Sequence, residues 1–202
     1  FEDTPSSALS LTLGAVVLEG FEEGETLQTG QLSALTLDGR DEQGGPLSLR
    51  LGEMQVSGVK LDGLDEGSPF GASLMSPDQA PYETLTLNDL LVSVGGIAIT
   101  LPELTASVES LGSGVLSSQL NLPSLTLSPA PGHPQSADIV RSFDMLGYDQ
   151  LELSASGESR YDPETDRAWT EDENIIRLVD GLTLSFEQDV SGLSAYAEQA
   201  EG

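Results

Sequence analysis

Leu85-Thr86-Leu87-Asn88-Asp89-Leu90-Leu91-Val92-Ser93-Val94-Gly95-Gly96-Ile97-Ala98-Ile99-Thr100-Leu101 places apolar side chains two residues apart on both sides of a Gly-Gly pair. A period of two is the signature of a strand with one buried and one solvated face, and Gly-Gly between two such runs reads as a tight hairpin turn. The same alternation recurs in Leu9-x-Leu11-x-Leu13, Leu35-x-Leu37, Leu47-x-Leu49-x-Leu51, Leu151-x-Leu153 and Leu182-x-Leu184-x-Phe186. The intervening residues are Ser, Thr, Ala, Glu and Arg, which suit water. Glu19-Gly20, Asp38-Gly39, Gly44-Gly45, Asp62-Gly63 and Asp180-Gly181 supply further turn signals. The chain therefore reads as mainly β and antiparallel: an open curved sheet or a sandwich built from repeats.

A shift of fifty residues carries Leu35-Thr36-Leu37-Asp38 onto Leu85-Thr86-Leu87-Asn88, and Leu47-x-Leu49-x-Leu51 onto Ile97-x-Ile99-x-Leu101. Two copies are expected near 32–59 and 82–109, within a β-repeat region covering 1–128. The stretch 129–135, Pro-Ala-Pro-Gly-His-Pro-Gln, is a Pro-rich connection unsuited to a central strand. Beyond it, 136–202 is expected to hold a short helix near 137–146 and a third β unit packed on the first region. Ser136 stands where an N-cap belongs, Gly147 just past the end, and Ile139, Val140, Phe143 and Leu146 share one helical face. A second helical tail over 193–199 and a long surface loop over 65–81 complete the expected layout.

Composition narrows the function. Thirty-four acidic against seven basic residues leave a net charge of −27, with Lys60 the single lysine. No basic stripe exists to neutralise phosphates, which argues against nucleic acid and against anionic lipid headgroups as partners. The acid excess fits a saline habitat and a soluble surface. There is no cysteine, so disulfides and thiolate metal sites are absent. No run approaches eighteen apolar residues, so no transmembrane helix is expected. The acidic start at Phe1 carries no signal peptide, which reads as a mature chain or a fragment.

Catalytic chemistry is hard to find. His133 is the single histidine and lies in a Pro-Gly-His-Pro turn, where it reads as a solvated residue rather than a base. No phosphate loop surrounds Lys60, and no nucleophile elbow occurs. Thirty-four acids make carboxylate pairs inevitable, but carbohydrate sites want aromatic platforms and the chain has one Trp. An enzyme is not expected. One candidate metal loop remains: Asp162, Glu164, Asp166 and Glu173 put oxygens at positions 1, 3, 5 and 12 of a calcium-type loop. Arg167 stands where that loop needs glycine, and a plain hairpin turning at 162–166 is the simpler reading. Calcium is thus the one cofactor for which the sequence leaves room. Tyr82, Tyr148, Tyr161, Trp169 and Phe186 either line a ligand groove or fill a thin β core.

The run at 85–104, ending Gly-Gly-Ile-x-Ile-x-Leu-Pro-x-Leu, together with Leu-Gly-Tyr-Asp-x-Leu-x-Leu at 146–153, resembles the β-repeat portions of bacterial envelope proteins of the AsmA/TamB type. That resemblance implies periplasmic residence and an open curved sheet whose apolar face accommodates acyl chains or a partner strand. The leading expectation is a non-enzymatic cell-envelope module that serves as scaffold or holds an apolar ligand on its Leu/Ile face, with other envelope proteins as partners. The alternative is a calcium-dependent extracellular adhesion module.

Overall fold

A computed structural model of the chain describes residues 9–22, 26–41, 44–60, 82–112 and 114–192. Among them are β1 (Ser10–Thr12), β2 (Ala15–Glu22), β3 (Thr26–Arg40), β4 (Pro46–Lys60), β5 (Thr84–Val94), β6 (Ile97–Ser110), β7 (Leu116–Pro129), α1 (Ser136–Leu146), β8 (Leu151–Asp162), β9 (Arg167–Thr170), β10 (Asn174–Leu178), β11 (Thr183–Phe186) and β12 (Asp189–Ser191). The expected loop at 65–81 and tail at 193–199 lie outside the described residues.

All described strands join one antiparallel sheet, open rather than closed into a barrel. β1 and β2 lie end to end along β3, β9 and β10 along β8, and β12 and β11 beyond those. Twelve strands therefore fill nine positions of a simple meander. At about 4.8 Å between strands these span roughly 38 Å. Gly95 and Gly96, with φ of 59° and 84°, make the two-residue β5–β6 turn that the twist of the flanking strands favours.

Register is what organises the sheet. Leu11, Leu37, Leu49, Val92, Ile99, Leu127 and Leu151 stand directly opposite one another in seven successive positions. A second row runs Leu35–Leu51–Leu90–Leu101 and resumes as Leu125–Leu153–Leu178. Further down the strands, Val16–Leu32–Met54–Leu87–Leu104 resumes as Leu122–Ala155–Ile176–Leu184. Below that comes Leu18–Gly30–Val56–Leu85–Ala106–Leu120–Gly157.

Between the upper and lower pairs of rows the alternation slips by one residue. Leu32 and Leu35, Leu51 and Met54, Leu87 and Leu90, Leu101 and Leu104, and Leu122 and Leu125 are three apart rather than two. The slip is filled by Ala34 and Asp89 at φ of 54°, by Gly52, and by Pro102 and Pro123 beside register shifts in β6 and β7. A left-handed residue or a bulge changes the phase of a strand. In β8 no slip is needed: Leu151, Leu153, Ala155 and Gly157 alternate regularly, one from each row, so all four rows share one face.

The structure departs from the sequence reading in four respects. Among the described residues the apolar face is half-buried rather than covered, no large side chain is fully buried, and no second layer supplies contacts to the sheet. The fifty-residue shift superposes the second strands of the two hairpins, whereas Leu35 shares its row with Leu90, fifty-five residues on. The β3–β4 connection is longer than Gly95-Gly96, and the difference falls between the paired strands. Pro123 sits within a central strand and Pro129 at the end of β7, where β8 no longer pairs; a register shift and a strand end are the places that spare a donor. Finally, α1 buries Phe143, while Val140 and Leu146 of its expected apolar face are exposed. Gly147 caps the helix in the left-handed conformation, as expected.

Two outcomes follow for stability. Leu85 is 5% exposed, so Leu85→Asp is expected to cost about 3 kcal/mol or more in denaturant unfolding, against roughly 0.5 kcal/mol or less for exposed Thr100→Asp. Ala34→Gly is expected to raise stability by about 0.5–1 kcal/mol, because glycine bears no penalty at positive φ. Ala98→Gly, in an ordinary strand conformation, is expected to lower it by about the same amount.

Candidate functional site

The lower rows shape the most concave part of the apolar face. The lowest row intersperses small residues (Gly30, Ala106, Gly157) among large ones (Leu18, Val56, Leu85, Leu120), so the small ones leave depressions. A groove of about 260 Å³ opens over Ala106, Leu120, Gly157 and Ile176, walled by Tyr82 and Phe186. At Gly157 a Cβ would stand 2.0 Å from the Asn174 amide oxygen, so a larger residue there would displace that side chain. One residue in five of the chain is charged, yet none of the described groove-lining residues is. Beside the groove, Leu27, Val59, Tyr82, Leu85 and Ala106 form the best-buried cluster. The chemistry on offer is apolar contact, with Ser, Asn and Gln hydroxyls and amides at the margin.

The five aromatic candidates divide. Tyr82 and Phe186 do line one groove. Tyr148, Tyr161 and Trp169 lie outside its lining and serve their own surroundings. Tyr148 donates to the Asp180 carbonyl at 3.3 Å, Tyr161 to Asp166 Oδ1 at 3.1 Å, and Trp169 Nε1 to Glu171 Oε1 at 2.8 Å.

The acidic loop forms the β8–β9 hairpin. Asp162 closes it from within: Oδ1 accepts the Glu164 amide at 3.0 Å and Oδ2 the Thr165 hydroxyl at 2.6 Å. That hydroxyl bond, the largest influence, holds the Asp162 carboxyl below the usual carboxylate range, and Arg167 adds to it. Arg167 makes a two-pronged pair with Asp189 at 2.8 and 2.7 Å, lowering the Asp189 pKa and raising its own. Its guanidinium also lies over the Trp169 ring, 5.1 Å from the centroid. Asp166 sits at φ 49° in the turn, whereas Glu173 lies beyond the far end of β9. The hairpin thus separates Glu173 from Asp162, Glu164 and Asp166. Among the described residues no three acidic, histidine or cysteine side chains are grouped to hold a metal ion.

His133 corrects the sequence reading. It is 4% exposed rather than solvated, wedged against the β3–β4 turn. Its Nδ1 accepts the Gln135 amide at 3.1 Å, so Nε2 carries the hydrogen and donates to Asp41 Oδ2 at 2.8 Å. Asp41 Oδ1 accepts the Gly45 amide at 2.8 Å. The histidine pins the connection before α1 to a turn ninety residues away. A lone turn histidine gives no such signal in sequence, because the burying partner comes from another hairpin.

The register that lines up the apolar rows and the place of the groove escaped the sequence reading as well. The Leu-x-x-Leu/Met spacing, recurring five times and in four of them around Gly, Pro or Asp, was the readable sign of the slip. The groove's residues come from separate strands, and no local spacing announces them. Comparison with protein-family models and with curated proteins finds no match to this chain. No helix among the described residues is long and apolar enough to cross a membrane.

With the four acids of the 162–173 loop divided between two ends of a strand, millimolar calcium is expected to move the melting midpoint no further than equal magnesium. A calcium-specific rise equivalent to about 2.7 kcal/mol, as for a ligand at a hundred times its Kd, would reveal a site the geometry does not offer.

Proposed function

We propose that this chain is a non-enzymatic β-repeat module of a bacterial cell envelope, located in the periplasm, that carries lipid or another apolar ligand on its Leu/Ile face. The observation that carries the proposal is the four aligned apolar rows with no second layer packed over them among the described residues. A large half-exposed apolar face on a soluble protein marks a place where something apolar is bound. The uncharged groove between Tyr82 and Phe186 supports the reading, since it offers a chain-like ligand contact on several sides. The resemblance of residues 85–104 and 146–153 to envelope repeat proteins favours acyl chains as the cargo and the periplasm as the location. A scaffold role is compatible with the same face. The absence of charge in the groove disfavours catalysis there, because acid–base chemistry requires titratable groups.

Purification without detergent from the periplasm of an expression host, followed by organic extraction and mass spectrometry, is expected to recover phospholipid with the protein. The uncharged fluorophore N-phenylnaphthylamine is expected to bind the delipidated chain and to be displaced by fatty acid. Ile176 is exposed in the groove wall, so Ile176→Glu is expected to leave folding intact and weaken binding roughly tenfold, equivalent to about 1.4 kcal/mol. Neither co-purified lipid nor fluorophore uptake would overturn the proposal.

A further inference from the structure

The outer edge of β2 has no partner among the described strands, and over Ala15–Leu18, before its first charge at Glu19, it lacks the usual protection of an open edge. Residues 9–18, Leu-Ser-Leu-Thr-Leu-Gly-Ala-Val-Val-Leu, hold no charge and no proline in a chain where every sixth residue is acidic. Natural edges are blunted by lysine, proline or inward charges. Val16, Val17 and Leu18 are all exposed. The apolar face accounts for Val16 and Leu18, which end two of its rows. It does not account for Val17, which points to the opposite face. There its row is Gln31–Gln55–Thr86–Thr105–Asn121–Ser156, polar from β3 through β8, with Ile175 and Ser185 beyond them toward the opposite edge. A valine at the open end of a polar row, 42% exposed, indicates that both faces of this edge are covered. A ligand lying on one face cannot do that; a neighbouring strand can.

We propose that β2 pairs antiparallel with β2 of a second copy, about a twofold axis through Val17. Three observations select this occupant. In that register Val16 faces Leu18 of the other copy on the apolar side, Val17 faces Val17, and Glu19 faces Ala15, so no two carboxylates oppose. The opposite edge, β11 and β12, carries Glu187 and Asp189, the latter already held by Arg167, so it is a charged edge where β2 offers an uncharged stretch. Nine is an odd number of positions, so β2 and β11 run in the same direction. Head-to-tail stacking would therefore need a parallel joint, whereas the twofold joint is antiparallel like every other in the sheet. The apolar rows then continue from one copy into the next.

Sedimentation of the full chain in high salt, where the like charge of the copies is screened, is expected to give twice the 21.2 kDa chain mass. Because the chain has no cysteine, Val17→Cys is expected to give a disulfide-linked dimer on mild oxidation, since directly opposed residues lie within disulfide reach. Val16→Cys, facing Leu18, is expected to give little. Val17→Glu opposes two like charges on the axis and is expected to weaken association roughly a hundredfold while circular dichroism stays that of the folded chain. A monomer at every concentration, a dimer indifferent to Val17→Glu, or cross-linking through Val16→Cys in preference to Val17→Cys would overturn the proposal.

Discussion

Cross-strand register is the constraint on which the rest of this protein depends. A side chain in a single-layer sheet has few neighbours except those directly opposite on adjacent strands, at about 4.5–5.5 Å. Leu37 therefore packs through Leu49 and Leu11, and Ile99 through Val92 and Leu127. Shifting any one strand by a residue would turn its leucines to the wet face and cut every row at that point. The slips at Ala34, Gly52, Asp89, Pro102 and Pro123 belong to the same design. Each changes phase at one level of the sheet, so the rows above and below stay on one side. A non-glycine residue at positive φ is costly, and Ala34 and Asp89 stand at the level where continuity of the face requires it.

The other face carries the polarity. Ser57 and Thr84 share a hydroxyl bond at 2.6 Å there and Ser117 donates to Glu158 at 3.2 Å, while Ser118 and Ser159 share one at 2.8 Å at the margin of the groove on the apolar face. These cross-strand pairs are short and neutral or singly charged, which suits a chain with seven basic residues for thirty-four acids. Arg160 is shared, 3.5 Å from Glu158 and 2.9 Å from Glu171. Glu158 and Arg160 alternate with Gly157 and Ser159, so this pairing takes the face of β8 opposite the groove. Apolar chemistry keeps one face and the dispersed carboxylates keep the other, which is how so acidic a protein can offer an uncharged binding surface.

At the upper end, the connection between β7 and β8 closes the turns. His133 and Asp41 tie it to the β3–β4 turn, Ala130 donates to the Gly96 carbonyl at 2.7 Å, and the Ser136 hydroxyl returns to the Ala130 carbonyl. The other pairings join strands close in sequence, so the bond from His133 to Asp41 is a long-range fastening of the sheet. These bonds leave α1 partly exposed, because the helix is anchored by its leading segment and Phe143 rather than by a full apolar stripe.

Much of this was legible in residues close together in the chain. Alternating leucines and Gly95-Gly96 specify strands and a hairpin through backbone sterics, which act between neighbours. Gly147 specifies a helix end for the same reason. Without cysteine or a second histidine, whole classes of chemistry are set aside by composition. The acids at 162–166 read as a turn, and a turn is what they make. What tertiary structure alone decided concerns residues far apart. Which leucine faces which depends on the length of every intervening turn, so the five-residue difference between hairpins moved Leu35 from the row of Leu85 to the row of Leu90. The burial of His133, the groove at Ala106 and Gly157, and Val17 at the open end of a polar row arise only once strands are placed side by side. Periodicity says that a side chain has a face; pairing decides what stands opposite it.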